Sequence, residues 1–432
     1  MNIRKLVKSL IPRSLFRRIE PYGHLLEAMI MQLIYGFPAR GLKVIGVTGT
    51  NGKTSTCFLI QRMLHEAGYK VGMMTTVGYG VGANIKPQIQ HMTTASSGLL
   101  LKRIKTMRRQ GAEWLVLEAT SHGLAQHRVY GIPFSVAVMT NLTHEHLDYH
   151  GTFERYRDAK RRLFKQANHN RKGLRVGVIN AEDPSAELFK SDISHALTYG
   201  VNTGDVRATE VRLKADGVSY IAKSKEHAYK ISCRLPGSFN VYNSLAAVCV
   251  GQILGLSETQ IEKGIAALEG VEGRMMTIDE GQKFNVIIDF AHTPDSFEKL
   301  FTDIRPAVKG KLIALFGSAG RRDEAKRAVQ GRIAGKYADE VIITEEDDRD
   351  IDGNEIMAQI ASGAQESGKV KDKDLFLVHD RTEAIAFAFS RAKNGDTVLL
   401  LGKGHEKTIE RADGEHPWNE MNVARTALKK LV

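Results

Sequence analysis

Lys43-Val44-Ile45-Gly46-Val47-Thr48-Gly49-Thr50-Asn51-Gly52-Lys53-Thr54 is the stretch on which the reading of this chain turns. The β-branched apolar run Lys43–Thr48 predicts a buried strand. A glycine-rich turn follows, and from Lys53 to Ala67 the pattern becomes helical. A strand, a tight turn and a helix N-terminus together present backbone N–H groups that can close around a phosphate. Lys53 adds a cation, and the Thr54 hydroxyl can hold Mg²⁺. Val47 stands where the strict form of such a loop has glycine, so this is a variant P-loop. The expectation is a nucleoside triphosphate whose phosphates rest on Gly49, Thr50, Asn51, Gly52, Lys53, Thr54 and Ser55.

Working outward, further short apolar runs occur at Trp114–Glu118, Ser135–Thr140 and Arg175–Asn180, with helical stretches between them. Such alternation predicts a mainly parallel sheet covered by helices. Residues Val206–Leu235 alternate polar and apolar with turn residues, which reads as antiparallel hairpins, and a helix is expected over Val241–Leu254. A second series has strands at Val286–Phe290, Leu312–Phe316, Val341–Thr344, Leu375–Val378 and Thr397–Leu401. Its helices are expected at Asp295–Ile304, Asp323–Gly335, Asn354–Ser362, Thr382–Ala392 and Asn419–Leu431. Gly270-Val271-Glu272-Gly273 reads as the hinge between the series. The expected organisation is α/β throughout: a basic arm over 1–42, a central P-loop ATPase-type domain over 43–272 and a Rossmann-like domain over 273–432.

The 432 residues are 42% hydrophobic and 25% charged, ordinary for a soluble chain with a real core and contrary to fibrous or disordered classes. The formal net charge of +12 favours anionic partners: nucleotides, nucleic acid or a membrane surface. Residues 1–42 alone carry +5, from Arg4, Lys5, Lys8, Arg13, Arg17, Arg18 and Arg40 against Glu20 and Glu27. Two readings of this arm stand side by side: a helix packing its apolar side on the body, or peripheral membrane contact through residues 1–20, with Leu6, Leu10, Leu15 and Phe16 facing lipid. No run reaches the ~18 apolar residues of a spanning helix. Cys57, Cys233 and Cys249 lie far apart without metal-ligand spacing, which points to a reducing cytoplasm and away from a disulfide framework or zinc site.

The Thr-Gly-Thr-Asn-Gly-Lys-Thr loop resembles that of the Mur ligases and their folylpolyglutamate synthase relatives. Later segments resemble the same family in the same order: Glu118-Ala119-Thr120-Ser121-His122-Gly123-Leu124, Thr140–Gly151, Tyr156-Arg157-Asp158-Ala159-Lys160 and Phe239-Asn240-Val241-Tyr242-Asn243. Asp289-Phe290-Ala291-His292-Thr293-Pro294, with Phe for the usual Tyr, and Gly402-Lys403-Gly404-His405-Glu406 complete the set. The resemblance runs from about residue 43 to the C-terminus and lies closest to the tripeptide-forming branch.

It implies an ATP-dependent amide ligase that joins an amino acid to a muropeptide carboxylate through an acyl phosphate. ATP would lie between the central and C-terminal domains. Two Mg²⁺ are implied, one on Thr54 and Glu118, the other on His146 and a carbamylated Lys160; Lys53, Glu118, His146 and Lys160 would carry the catalysis. Asn240, Asn243, Arg274, Asp289 and His292 would contact the nucleotide, Asn240 serving equally as a helix N-cap. Thr93, Thr94, Ser121, His122 and Arg128 would hold the acceptor. Arg349, Gly402 and Glu406 would hold the incoming diamino acid, meso-diaminopimelate or lysine, in a monomeric protein that binds no nucleic acid.

Departures from the family pattern spare the implied ATP and metal residues and fall mostly on substrate-facing or structural positions. Glu346-Asp347-Asp348-Arg349 replaces Asp-Asn-Pro-Arg, Thr93-Thr94-Ala95 replaces Thr-Thr-Pro, His144-Glu145 stands where Gln-Asp is typical, and Ser318–Asp323 departs from Gly-Gly-Asp-Arg-Asp. Only 42 residues precede the phosphate loop's strand, where the family carries a domain that grips UDP. The expectation is therefore an acceptor whose UDP is held weakly or by another subunit, or one that lacks UDP, as a lipid-linked muropeptide would. The competing readings are another amide ligase of the superfamily (folylpolyglutamate synthase-like, cyanophycin-type or lipid-linked) and, from a different class, a nucleic-acid-dependent NTPase.

Overall fold

A computed structural model describes residues 13–88, 93–143, 145–214 and 217–431; the side chains of 13–21, 147 and 148 are outside that description. Two compact units emerge. The first comprises Met1–Val211, Ser219–Ser232 and Val241–Leu268, and the second Arg212–Val218, Cys233–Asn240 and Glu269–Val432.

The first unit begins with α1 (Arg13–Tyr35), β1 (Lys43–Thr48), α2 (Lys53–Glu66), β2 (Val71–Met74), β3 (Gly78–Val81) and β4 (Asn84–Pro87). It continues through α3 (Ser97–Arg109), β5 (Trp114–Glu118), α4 (Ser121–Ala125), β6 (Phe134–Met139), α5 (Leu147–His150) and α6 (Phe153–His169). β7 (Val176–Asn180), α7 (Ala186–Lys190), β8 (His195–Gly200), β9 (Val206–Lys214), β10 (Gly217–Lys223), β11 (Ala228–Cys233), α8 (Phe239–Ile253) and α9 (Glu258–Ala266) complete the run. The strands form one sheet in the order β11-β10-β9-β8-β7-β6-β1-β5-β2-β3-β4. β1 pairs in parallel with β5 on one side and β6 on the other, which sets Val47 opposite Glu118 and Thr48 opposite Met139. The carboxyl ends of these three strands therefore lie side by side where strand order reverses, the position at which open α/β sheets bind ligands.

The second unit holds β12 (Met276–Ile278), β13 (Asn285–Asp289), α10 (Pro294–Ile304), β14 (Leu312–Phe316), α11 (Ala325–Tyr337), β15 (Glu340–Ile343) and α12 (Gly353–Glu366). After these come β16 (Leu375–Leu377), α13 (Arg381–Arg391), β17 (Thr397–Leu401), the hairpin β18 (Thr408–Arg411) and β19 (Gly414–Pro417), and α14 (Glu420–Lys429). Its six-stranded sheet runs β12-β13-β17-β14-β15-β16, parallel except at β12. Residue alternation along a strand divides two cores. Leu312, Ala314 and Phe316 pack with α10, α11 and α12, whereas Ile313 and Leu315 pack with α13 and α14.

Several elements depart from the sequence expectation. β2, β3 and β4 have no counterpart in it, and β3 and β4 extend the sheet antiparallel. The four-residue runs of β2 and β3 are interrupted by glycines, and β3 needs one for close approach: a Cβ on Gly80 would lie 2.0 Å from the Asn84 carbonyl oxygen. β8, α9 and the β18–β19 hairpin were also not anticipated. The expected hinge folds as a tight turn in which Val271 and Arg274 pair and Gly273 takes φ +67°. The expectation for residues 1–12, and for Leu15 and Phe16 facing lipid, lies outside the described residues, as does His144.

Candidate active site

The loop after β1 is built to approach its neighbours closely. Gly52 caps α2 with φ +81°, and a Cβ there would stand 2.2 Å from Asn243 Oδ1. A Cβ on Gly49 would stand 1.8 Å from Thr140 Oγ1. Both positions exclude any side chain. The segment after β6 holds the loop from outside. Thr50 N donates to the Asn141 carbonyl at 2.7 Å, Asn51 N to Asn141 Oδ1 at 2.9 Å, and Thr140 Oγ1 to the Asn51 carbonyl at 2.7 Å. Among the described residues no side chain caps the N-terminus of α2, and the Lys53 ammonium donates to the Thr50 carbonyl at 2.7 Å. A shaped backbone concavity, a helix N-terminus and a cation thus meet in one loop, beside the buried Ser55.

Glu118 ends β5, buried against that loop. Its Oε2 accepts from Thr54 Oγ1 at 3.0 Å and from Thr76 N at 2.9 Å, and its Oε1 accepts from Thr76 Oγ1 at 3.0 Å. Thr76 Oγ1, its proton given to the carboxylate, lies 3.0 Å from the Thr93 hydroxyl and can accept from it, and Thr94 Oγ1 donates to the Glu118 carbonyl at 3.1 Å. Arg128 Nη1 donates to the Thr94 carbonyl at 2.7 Å. Three expected acceptor residues are therefore tied to Glu118: Thr93 to its carboxylate through Thr76, Thr94 to its main-chain carbonyl, and Arg128 through Thr94.

On the other side of the loop, Lys160 is buried in α6 and its ammonium donates to the Gly49 carbonyl at 2.6 Å. Burial first, and Lys53 second, push its pKa well below the ordinary 10.5, against the opposing pull of Glu145 and Glu118. Lys160 Nζ sits 4.6 Å from the Tyr156 ring centre, and the Tyr156 hydroxyl bonds Thr50 Oγ1 at 2.8 Å. His146, at φ +55°, lies on the same tyrosine with ring centres 6.2 Å apart. His122 packs against His146, Tyr149 and His150 at 4.7, 4.4 and 5.4 Å. Ser121 Oγ is buried at the start of α4 with no hydrogen-bond partner among the described residues.

Asn243 is the residue of α8 that meets the loop, accepting from Thr56 Oγ1 at 3.4 Å. Asn240 has a different position. The helix already begins at Phe239, and Asn240 Nδ2 donates to the Pro236 carbonyl at 2.7 Å, so it is no N-cap, and it falls among the second unit's residues.

In the second unit, the buried Asp289 accepts from Met275 N and Ala291 N, both at 2.7 Å, and burial raises its pKa against the opposing pull of Arg274. Arg274 stacks over Phe290 at 4.6 Å, and the rings of His292 and His405 lie 4.6 and 4.8 Å from the same phenyl. Burial, then Arg274, hold His405 well below its ordinary pKa. Nearby in sequence, buried Lys403 donates to Asp347 Oδ1 at 2.8 Å and pairs with Glu406 at 2.6 Å. Gly402 takes φ +99°, and a Cβ on it would lie 2.6 Å from Glu346 Oε2. Arg349 is already engaged: Nε donates to Glu410 at 2.7 Å and Nη1 to the Gly320 carbonyl at 2.6 Å. A substrate carboxylate would have to share it. Glu345, Asp348 and His379 have metal-ligand spacing, but both oxygens of Glu345 accept from Arg411, which makes the group an ion network.

Thr76, Tyr156 and Lys403 were not singled out in the sequence. Thr76 follows a strand that carried no pattern, whereas Tyr156 and Lys403 lie inside motifs already marked and differ from their neighbours only in what they touch.

Comparison with known proteins agrees with this architecture. The Mur ligase middle domain matches residues 47–251, and the Mur ligase glutamate ligase domain matches 273–404. A UDP-N-acetylmuramyl-tripeptide synthetase of Roseiflexus sp. (strain RS-1) is 42% identical over 426 residues, covering 95% of this chain and 83% of that protein. The solved structure of a UDP-N-acetylmuramoyl-L-alanyl-D-glutamate–2,6-diaminopimelate ligase is 31% identical with TM-score 0.65, over 96% of this chain and 83% of that one. A folylpolyglutamate synthase of Mycobacterium tuberculosis, solved with ADP and AMPPCP, shares the fold at TM-score 0.74 and 16% identity, over 94% and 95% of the two chains. With both halves matched and a relative this similar over nearly the whole length, the chain belongs to the Mur ligase family of ATP-dependent amide ligases.

Proposed function

We propose that this chain couples ATP cleavage to an amide bond between the carboxylate of a muropeptide and the amine of a diamino acid, meso-diaminopimelate or lysine, in the cytoplasm. The observation that carries this is the chain of hydrogen bonds from the phosphate loop through Thr54, Glu118 and Thr76 to Thr93, Thr94 and Arg128. It links the residues suited to a triphosphate with those suited to an anionic acceptor. The acceptor carboxylate attacks the γ-phosphorus, the bond to the bridging oxygen breaks, and ADP leaves. The amine then adds to the acyl phosphate, loses a proton, and expels inorganic phosphate. Lys53 and the α2 N-terminus stabilise charge on the phosphoryl oxygens.

Thr54 and Glu118 offer hard oxygen ligands, which fit Mg²⁺. Burial makes Lys160 easier to deprotonate, and the deprotonated amine is the nucleophile toward CO₂, so Lys160 fits carbamylation, which would give with His146 a second Mg²⁺ position. Bound there, the ions would neutralise the transferring phosphoryl group. Arg274, Asp289 and His292 serve the nucleotide in this reading. The buried carboxylates Glu346 and Asp347 and the partly buried Glu406 around Lys403 suit an ammonium-bearing amino acid. The free cysteines suit a reducing compartment.

The test is phosphate release with UDP-MurNAc-dipeptide, lipid-linked muropeptides and folate, each paired with lysine, diaminopimelate, glutamate and ammonia. Release that requires a muropeptide plus a diamino acid supports the proposal. Stimulation by folate and glutamate alone, or by DNA or RNA, overturns it in favour of the rival classes.

A further inference from the structure

The fold leaves an apolar face of α1 uncovered. Tyr22, Leu26, Met29, Ile30, Leu33 and Ile34 are 43–74% exposed, and their spacing of three and four places them on one side of the helix. The opposite side is occupied: Ala28 and Gln32 are buried, Gln32 Nε2 donates to the Tyr130 carbonyl at 2.6 Å, and Met31 and Tyr35 pack on the core of the first unit. Single exposed apolar residues are ordinary, but a contiguous stripe marks a contact surface.

The surroundings of the stripe indicate its partner. α1 packs on α3, whose sequence Ser97–Arg109 holds Lys102, Arg103, Lys105, Arg108 and Arg109 and no acidic residue. Lys102, Lys105, Arg108 and Arg109 are exposed. An apolar helix face beside a cluster of cations is the chemistry of a helix lying in the plane of an anionic lipid surface. A second copy of the chain fits less well, because a two-fold contact through this face would bring the basic clusters together. No described helix is long and apolar enough to cross a membrane.

We propose that α1 and α3 form a docking surface for an anionic phospholipid bilayer, with the stripe from Tyr22 to Ile34 at headgroup depth and the α3 cations on lipid phosphates. The inference is independent of the ligase reading. It is tested by floating the full chain with unilamellar vesicles of phosphatidylcholine alone or mixed with phosphatidylglycerol. The wild type should partition onto the mixed vesicles, less so at high salt, and weakly onto phosphatidylcholine. Leu26→Glu/Leu33→Glu/Ile34→Glu should lower partitioning at least about tenfold. Lys102→Gln/Lys105→Gln/Arg109→Gln should lower it about a hundredfold on the anionic vesicles. Both variants alter exposed side chains, so their melting temperatures should match the wild type. No binding to anionic vesicles, equal binding to both compositions, undiminished binding of the apolar variant, or a dimer in light scattering that this variant abolishes would each overturn it.

Discussion

Glu118 shows how much one buried side chain can be asked to do. It accepts three hydrogen bonds from two threonines while facing the phosphate loop, so charge and acceptor capacity can be separated by substitution. Glu118→Gln keeps an acceptor and the shape but removes the anion; turnover in the phosphate-release assay should fall about 100-fold or more, with little change in melting temperature. Glu118→Ala leaves Thr54 and Thr76 donors unpaired and should cost an additional ~1–3 kcal/mol of stability in denaturant titration. Lys160 makes a different prediction, about pH. Its folded-state pKa is lowered below the unfolded 10.5, so the folded chain binds fewer protons in that window. Stability contributed at this site therefore rises with pH between the lowered value and 10.5, and the penalty is complete below that window. Lys160→Met should flatten the alkaline rise in melting temperature relative to wild type. An unchanged slope would show that burial does not lower the pKa of this amine.

At the scale of elements, the β1 loop and α2 work only because glycine permits a conformation and a contact together. Gly52→Ala meets two obstacles at once, a positive φ and Asn243 Oδ1 at 2.2 Å. It should cost ~1–3 kcal/mol in thermal unfolding and weaken ATP binding, measured by fluorescent-nucleotide titration. A variant that binds ATP normally would mean that the loop and α8 are not locked together. The β18–β19 hairpin, absent from the sequence reading, supplies Glu410 to Arg349 and so occupies part of the guanidinium proposed to meet the substrate carboxylate.

At the scale of the whole molecule, each unit carries its own core, and the second is pinned by a pair with no exposure at all. Arg381 donates to Glu420 through Nε and Nη2, at distances down to 2.6 Å, and to the carbonyls of Glu345 and Leu401. Removing one member leaves a charge buried without its counterpart, so Arg381→Met should cost about 3–5 kcal/mol in urea unfolding. The double substitution Arg381→Met/Glu420→Leu should recover most of that loss. Failure to recover would show that the arginine acts mainly through the carbonyls it ties.

Much of this protein was legible in its residues alone. The strand–loop–helix series and the places of Gly49–Ser55, Glu118 and Lys160 in it follow from local pattern, because apolar period and turn chemistry are short-range properties. Other features arise where segments distant in sequence meet. That Thr76 would share Glu118, that Arg349 would be held by Glu410, and that Asn240 would turn to Pro236 while Asn243 meets the loop are all decided by which strand ends the sheet sets side by side. The same holds for the bare face of α1: its periodicity marks two sides, and only packing against α3 and the core determines which of them stays in contact with solvent.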